Sequence, residues 1–356
     1  MTAPRKIRVL VVDDSALVRR ILSDALSKDE HIEIAGSAPD PIVAQEKIAD
    51  LKPDVLTLDL EMPRMDGLTF LRKLMSTHPL PVVVISSQVK SSRENAIEAL
   101  RLGAVEVLPK PDGPYSVGGL TDHLCFKIRA AAQSRVARRA HLAPLPHAPE
   151  PAAHDGAFPE HSILAIGAST GGTEAILNVL SRLPANSPGA LITQHIPAGF
   201  SYTFAERLNA NCPMEVKEAA DGDLLAPGRA LVAPGGLHMV LRWTGAGYRV
   251  QVKDGPAVCY QRPSVDVTFQ SAAAAARGPV AAALLTGMGS DGAQGMLALR
   301  KAGAHTIAQD EATCVVYGMP REAVRLGAAA QVLPLHRIPH ALLQALRHAP
   351  ALARPR

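Results

Sequence analysis

Residues 163–172 read ILAIGASTGG, an apolar run that ends in a loop of small residues carrying one serine, Ser169. A short apolar run bounded by glycine is the pattern of a strand buried on both faces. The stretch TEAILNVLSRL that follows (173–183) has helical character. A strand that turns over small residues into a helix is the repeating step of a parallel α/β sheet. Such a turn has three uses. It can be a plain turn that needs only glycine, a cradle of backbone N–H groups for a phosphate, or a mount for a nucleophile. Gly167-Ala168-Ser169-Thr170-Gly171 fits G-x-S-x-G, the third case, and backbone amides near Thr170 and Gly171 at the helix start could stabilise an oxyanion.

The same pattern recurs twice downstream. GALITQ (189–194) leads into His195, and PVAAALLTGMGS (279–290) leads into Asp291. Open parallel sheets bind ligands outside the carboxyl ends of their strands, so three reactive side chains at three strand ends share one edge. A serine nucleophile needs a base, and the base needs a group that orients it and stabilises its charged form. Asp221, Asp223 and Asp254 lie in polar turns and read as solvated, whereas Asp266 in PSVDVTF and Asp310 in AQDEAT read as supporting residues. The nucleotide reading lacks an acidic residue about 20 positions on for a ribose, and it lacks a Walker lysine. The chain order Ser, His, Asp differs from the Ser, Asp, His of α/β-hydrolases, so the constellation is a separate construction on a Rossmann-like sheet.

The N-terminal third alternates strand-like runs (IRVLVV, IEIAG, DVLTLD, PVVVIS, VEVLP) with helical segments such as SALVRRILSDAL. In that segment Ser15 can cap, and Leu17, Ile21, Leu22 and Ala25 read as one face. Gly103 closes the helix before the fifth strand. Asp13 and Asp14 follow the first strand, Asp59 the third, Ser86 the fourth and Lys110 the fifth. An Asp-Asp pair alone is more often a solvated helix cap. Three carboxylates at one sheet edge repel each other unless a cation joins them, and magnesium suits carboxylate oxygens.

A length of 356 residues exceeds one typical core, which makes two domains the expectation. A net charge of +4 and 3% aromatic residues give no footprint for nucleic acid or a membrane surface. The four cysteines, Cys125, Cys212, Cys259 and Cys314, have no metal-ligand or redox spacing and read as reduced thiols. With no signal-like or membrane-spanning run, a soluble cytoplasmic protein is expected. The Pro-, Ala- and His-rich stretch after Phe126 reads as a linker that starts as a basic helix. The expected division is residues 1–125, a linker over 126–160, and a second α/β domain over 161–356.

The first of these domains resembles a response-regulator receiver, with a flavodoxin-like fold. The resemblance implies that Asp59 accepts a phosphoryl group from a sensor histidine kinase, that Asp13, Asp14 and Asp59 hold Mg2+, and that Ser86 and Lys110 contact phosphoryl oxygens. Lys110-Pro111 matches the family's Lys-Pro pair, where a cis peptide is usual, while Pro109 before it departs from the pattern. The whole chain resembles the chemotaxis protein-glutamate methylesterase/protein-glutamine glutaminase family through GASTGG, QHIP, APGG, PSVDVTF, LTGMGSDGAQG and AQDEATCVVYGMPREA. The spacings of 26 residues from Ser169 to His195 and 96 from His195 to Asp291 also agree with that family. The resemblance implies a catalytic domain with a Rossmann-like doubly wound parallel sheet. In it Ser169 is the nucleophile, His195 the base and Asp291 its orienter, with the Met288 and Thr170 amides as oxyanion donors and no cofactor. It implies methyl-ester hydrolysis and glutamine deamidation on the cytoplasmic domains of chemoreceptors, through which alone the protein would meet a membrane, and no nucleic-acid partner. It also implies that the unmodified receiver restrains the enzyme. The rival reading is a response regulator with a nucleotide-binding or non-enzymatic output domain.

Overall fold

Apolar, β-branched runs alternate with amphipathic ones through the N-terminal unit, and the chain folds accordingly. The computed structural model describes residues 5–87, 89–110, 117–134, 136 and 157–348, and it divides into two units, 1–142 and 143–356. The first contains β1 (Ile7–Val12), α1 (Ala16–Leu26), β2 (Ile32–Ala38), α2 (Pro41–Leu51), β3 (Val55–Asp59), α3 (Gly67–Thr77), β4 (Val82–Ser86), α4 (Lys90–Leu102), β5 (Glu106–Pro109) and α5 (Val117–Ala132). The strands pair in parallel in the order β2-β1-β3-β4-β5. Val9–Val12, Val55–Leu58 and Val82–Ile85 are buried, as strands covered by helices on both faces must be. Ser15 caps α1 and Gly103 ends α4 in the left-handed region, as expected. Leu17 is a correction, being 59% exposed. At 100° per residue it lies about 130° from the face that Leu22, Ala25 and Leu26 bury. The start of the expected linker is also helix: α5 runs through Ala132, with Leu124, Ile128 and Ala131 buried. Residues 135 and 137–156 of that linker lie outside the described residues, as does Pro111 of the Lys-Pro pair.

The second unit contains β6 (Ile163–Ala168), α6 (Gly172–Leu180), β7 (Gly189–Gln194), α7 (Phe200–Asn211), β8 (Glu215–Glu218), β9 (Leu224–Leu225), β10 (Arg229–Val232), β11 (His238–Trp243), β12 (Tyr248–Lys253), α8 (Val265–Ala275), β13 (Val280–Leu284), α9 (Ala293–Lys301), β14 (His305–Gln309), α10 (Met319–Arg325), β15 (Gln331–Leu333) and α11 (Ile338–His348). Seven strands form a parallel sheet in the order β15-β14-β13-β6-β7-β10-β8. The chain builds outward from β6 on one side and then returns to β13 on the other, so the order reverses beside β6, where such sheets open a ligand crevice. Sequence reading did not anticipate the small antiparallel sheet β11-β12-β9, which packs against α8. Met239, Leu241, Tyr248 and Val250 bury its inner face with Phe269 and Ala272. Among the described residues no helix is long and apolar enough to cross a membrane.

Candidate active site

Three adjacent strands present the three residues singled out above. β6 ends at Ala168, β7 at Gln194 and β13 at Leu284, and β6 pairs with both of the others. Ser169, His195 and Asp291 are at most 3% exposed. The Ser169 amide donates to Thr286 O (3.0 Å), which ties the serine to the strand on one side. On the other side the Gln194 Nε2 amide donates to Ser169 O (2.8 Å) and His195 O (3.2 Å). Glycine is needed where these loops touch: a Cβ on Gly287 would lie 2.7 Å from Ser169 Cβ, and one on Gly172 would lie 2.1 Å from Gln194 Oε1. Gly171, at φ 75°, permits the turn into α6.

His195 Nε2 lies 2.7 Å from Asp291 Oδ2. The carboxylate is an acceptor, so the shared proton sits on Nε2 and His195 Nδ1 carries the lone pair. Nδ1 is buried without a hydrogen-bond partner, and so is Ser169 Oγ. The Asp291 carboxylate also receives Ser264 Oγ (2.7 Å), Val265 N (2.7 Å) and Asp266 N (3.1 Å). Burial pushes its pKa up, but the His195 bond and charge, the Ser264 hydroxyl and the Val265 amide outweigh that and hold it below the ordinary carboxylate value. The result is a fixed negative charge behind an imidazole with a free ring nitrogen and, at the end of the neighbouring strand, a buried hydroxyl that likewise makes no hydrogen bond. Chemically this equips the site for nucleophilic attack with proton transfer. The Met288 amide lies in the turn next to Gly287, and among the described residues it makes no hydrogen bond.

The first unit gathers its own cluster. Carboxylate oxygens of Asp13, Asp14 and Asp59 lie within 4.8 Å of one another, Asp13 and Asp59 buried and Asp14 exposed. Lys110 Nζ donates to Asp59 Oδ2 (2.7 Å) and lies 3.6 Å from Asp13 Oδ2. Burial and the Asp59 charge push Asp13 up to about 6, and burial raises Asp59 against the opposing Lys110 and Glu61 hydrogen bonds. Burial lowers the Lys110 pKa, but its bonds and charges with the aspartates raise it more. One lysine does not neutralise three carboxylates, and Asp13 Oδ2 is buried without a hydrogen bond, so these residues fit a divalent cation. Ser86 Oγ donates to Ser92 O (3.1 Å) at the start of α4.

Residues 164–342 match the family model described as CheB methylesterase. The chain belongs to this family. Residues 9–116 match the model for the response regulator receiver domain. The chain is 53% identical over 333 residues to protein-glutamate methylesterase/protein-glutamine glutaminase 2 of Syntrophus aciditrophicus, covering 94% of this chain and 97% of that one. It is 48% identical to the protein-glutamate methylesterase/protein-glutamine glutaminase of Salmonella typhimurium, covering 95% and 96% of the two. Among solved structures, the Thermotoga maritima CheB methylesterase catalytic domain is 37% identical with a TM-score of 0.50, covering 51% of this chain and 97% of that one. In this family the rival nucleotide-binding and non-enzymatic readings are not favoured.

The structure thus assembles Ser169, His195 and Asp291 at one edge of one unit, and Asp13, Asp14, Asp59 and Lys110 at one edge of the other. Asp266 does abut Asp291. Asp310 instead closes a local turn, accepting from Thr313 N (3.0 Å) and Oγ1 (2.5 Å), so its expected support of the site is not direct. Gln194, Ser264 and Thr286 escaped sequence reading. Gln194 and Thr286 act through backbone contacts between strand ends, and Ser264 through a side-chain bond from the N-cap of α8 to Asp291, and such long-range contacts leave no local pattern. Adjacency to the motif residues (Gln194 before His195, Ser264 two before Asp266) was the available signal.

Proposed function

We propose that this chain is a phosphorylation-regulated serine hydrolase that removes methyl esters from glutamate side chains of chemoreceptors and deamidates receptor glutamines. One observation carries the reading. The unpartnered Ser169 hydroxyl and the unpartnered His195 Nδ1 share a buried site in which Nε2 is already committed to Asp291. The Ser169 proton passes to Nδ1 as Oγ attacks the side-chain carbonyl carbon, and Asp291 stabilises the imidazolium. The Met288 and Thr170 amides receive the oxyanion. Collapse expels the alkoxide, which takes the proton from His195 and leaves as methanol. From a glutamine the leaving group is ammonia. Water, deprotonated by the same nitrogen, then cleaves the acyl-serine ester and regenerates Ser169 with a free glutamate. No cofactor enters this sequence.

In the receiver, Asp59 is the phosphoryl acceptor, a sensor histidine kinase the donor, and Asp13, Asp14 and Asp59 the ligands of Mg2+. When bound, the ion supplies positive charge against the incoming phosphoryl oxygens. Lys110 neutralises one of those oxygens. Ser86 must leave Ser92 O to reach another, which links modification to the first turn of α4. The test of the hydrolase is Ser169→Ala in the full chain, with methanol release from a methylated receptor fragment as readout. A rate at least about 100-fold lower with unchanged circular dichroism is expected, and retention of more than about a tenth of the rate sinks the assignment.

A further inference from the structure

The two helices beside the candidate triad exchange carboxylates. Asp291 precedes α9, yet its oxygens receive the hydroxyl and amides of Ser264, Val265 and Asp266, which form the N-cap and first turn of α8. In return Asp266, in that first turn, accepts from Gly295 N (2.6 Å) in the first turn of α9. The N-cap of α9 is Gly292, which has no side chain to cap its own helix, so the carboxylate comes from across the contact. The helices approach closely there: a Cβ on Gly295 would lie 2.7 Å from Phe269 Cβ and 3.0 Å from Asp266 Cα. Each helix start is therefore satisfied by the other's acid, and Asp291 cannot shift without loosening both.

Asp266 also carries charge into this region. One oxygen each of Asp266 and Asp291 and the Cys259 Sγ lie within 4.8 Å of one another. Asp291 faces Asp266 from the loop before α9, Cys259 from the 258–261 turn, and His195 stands on the far side of Asp291. His238 on β11 accepts from Ser264 N (3.3 Å) and is spent on that strap. Among the described residues no lysine or arginine pairs with Asp266, which is 5% exposed. Burial, opposed by the Gly295 amide and reinforced by the Asp291 charge, pushes its pKa up to about 6.

We propose that Asp266 is a positioning residue for the Asp291–His195 pair, locking the Asp291 carboxylate through the helix exchange and placing a second negative charge behind the imidazolium. The proposal rests on the hydrolase reading above. A folded-state value above the ordinary 3.8 means that the charged form costs stability above pH about 6, a cost that fades as pH falls toward 4.

The test compares wild type, Ser169→Ala and Asp266→Asn full-length proteins for kcat, KM, pH–rate profile and Tm. Asparagine keeps an oxygen for Gly295 N but drops the charge. A unit charge one residue removed from the ring, screened well above the dry-protein limit, moves a titration by about half a pH unit. Asp266→Asn should lower kcat about fivefold with KM unchanged, move the acid limb of the profile down by about half a pH unit, and raise Tm at pH 7.5 but not near pH 4. A wild-type kcat and unmoved acid limb overturn the proposal. A variant that fails to fold, or loses activity only in step with Tm, also overturns it by making the role structural. Failure of the hydrolase reading shows separately, as activity retained by Ser169→Ala.

Discussion

Replacing Asp291 with asparagine separates charge from hydrogen bonding, because four donors converge on that carboxylate. His195 Nε2 and Val265 N reach Oδ2, each at 2.7 Å, while Ser264 Oγ (2.7 Å) and Asp266 N (3.1 Å) reach Oδ1. A carboxylate accepts all four, but an amide accepts at one oxygen and presents donors at the other position. With NH2 in place of Oδ2, Val265 N–H loses its acceptor and His195 must turn a lone pair toward the amide. Its proton then moves to Nδ1, and no base faces Ser169. With NH2 in place of Oδ1, the Ser264 hydroxyl rotates and accepts, and only the longest bond, from Asp266 N–H, is lost. Either way one buried N–H is orphaned at about 1–3 kcal/mol, so the second arrangement, which keeps the shorter bonds and the tautomer, is favoured. Asp291→Asn should therefore lose roughly 1–3 kcal/mol of stability. Its rate should fall about 10- to 150-fold, the equivalent of one charge-assisted bond worth about 1.5–3 kcal/mol. Methanol release gives the rate, and 15N NMR of His195 should show Nε2 protonated in both proteins. A loss near 10⁴-fold with the proton on Nδ1 would refute the preference for this orientation.

Two further outcomes test the receiver. With a small phosphodonor and Mg2+, acid-labile phosphate should appear on the wild type and not on Asp59→Asn, and a chelator should abolish it; wild-type labelling of the variant would assign the acceptor elsewhere. Removing residues 1–142 should raise basal methanol release by about 5- to 150-fold, the span of ordinary coupling energies, and abolish the response to phosphodonor. A basal rate that stays level or falls would make the receiver an activator or a docking module in place of a restraint.

Most of the architecture was legible because both sheets are parallel and buried on both faces. ILAIGA, GALITQ and VAAAL are apolar runs that end where chemistry begins, and a parallel sheet puts all such ends at one edge. The same logic found Asp13, Asp59 and Lys110. It failed where side-chain direction decides. Leu17 looked like core because it is apolar, yet its helical angle turns it outward. Ser86 sits at the expected strand end, and the Ser92 carbonyl that holds its hydroxyl is a contact the sequence does not report. In the β11-β12-β9 sheet, YRVQVK alternates apolar and polar as a half-buried strand does, a signal that went unread, while the two-residue β9 and the packing of β11 on α8 leave no local pattern. His195 was legible as a histidine at a strand end, but the use of Nε2 toward Asp291 depends on the cross-strand geometry alone.

The strap between β12 and α8 differs in kind from the loops it borders. Ser169 is clamped from both neighbouring strands and by glycine contacts that admit no side chain, so the floor of the crevice tolerates little sequence drift. The strap instead holds Cys259 and Tyr260 at φ 50° and 63°, and Tyr260 is 79% exposed. Its ends are pinned from below, by His238 to Pro256 O and by Ser264 to Asp291. A changed side chain at Tyr260 thus meets solvent, whereas one added beneath it meets packed atoms. Exchange of that one side chain alters what the surface presents to a visitor while the Ser169, His195 and Asp291 contacts below keep their geometry.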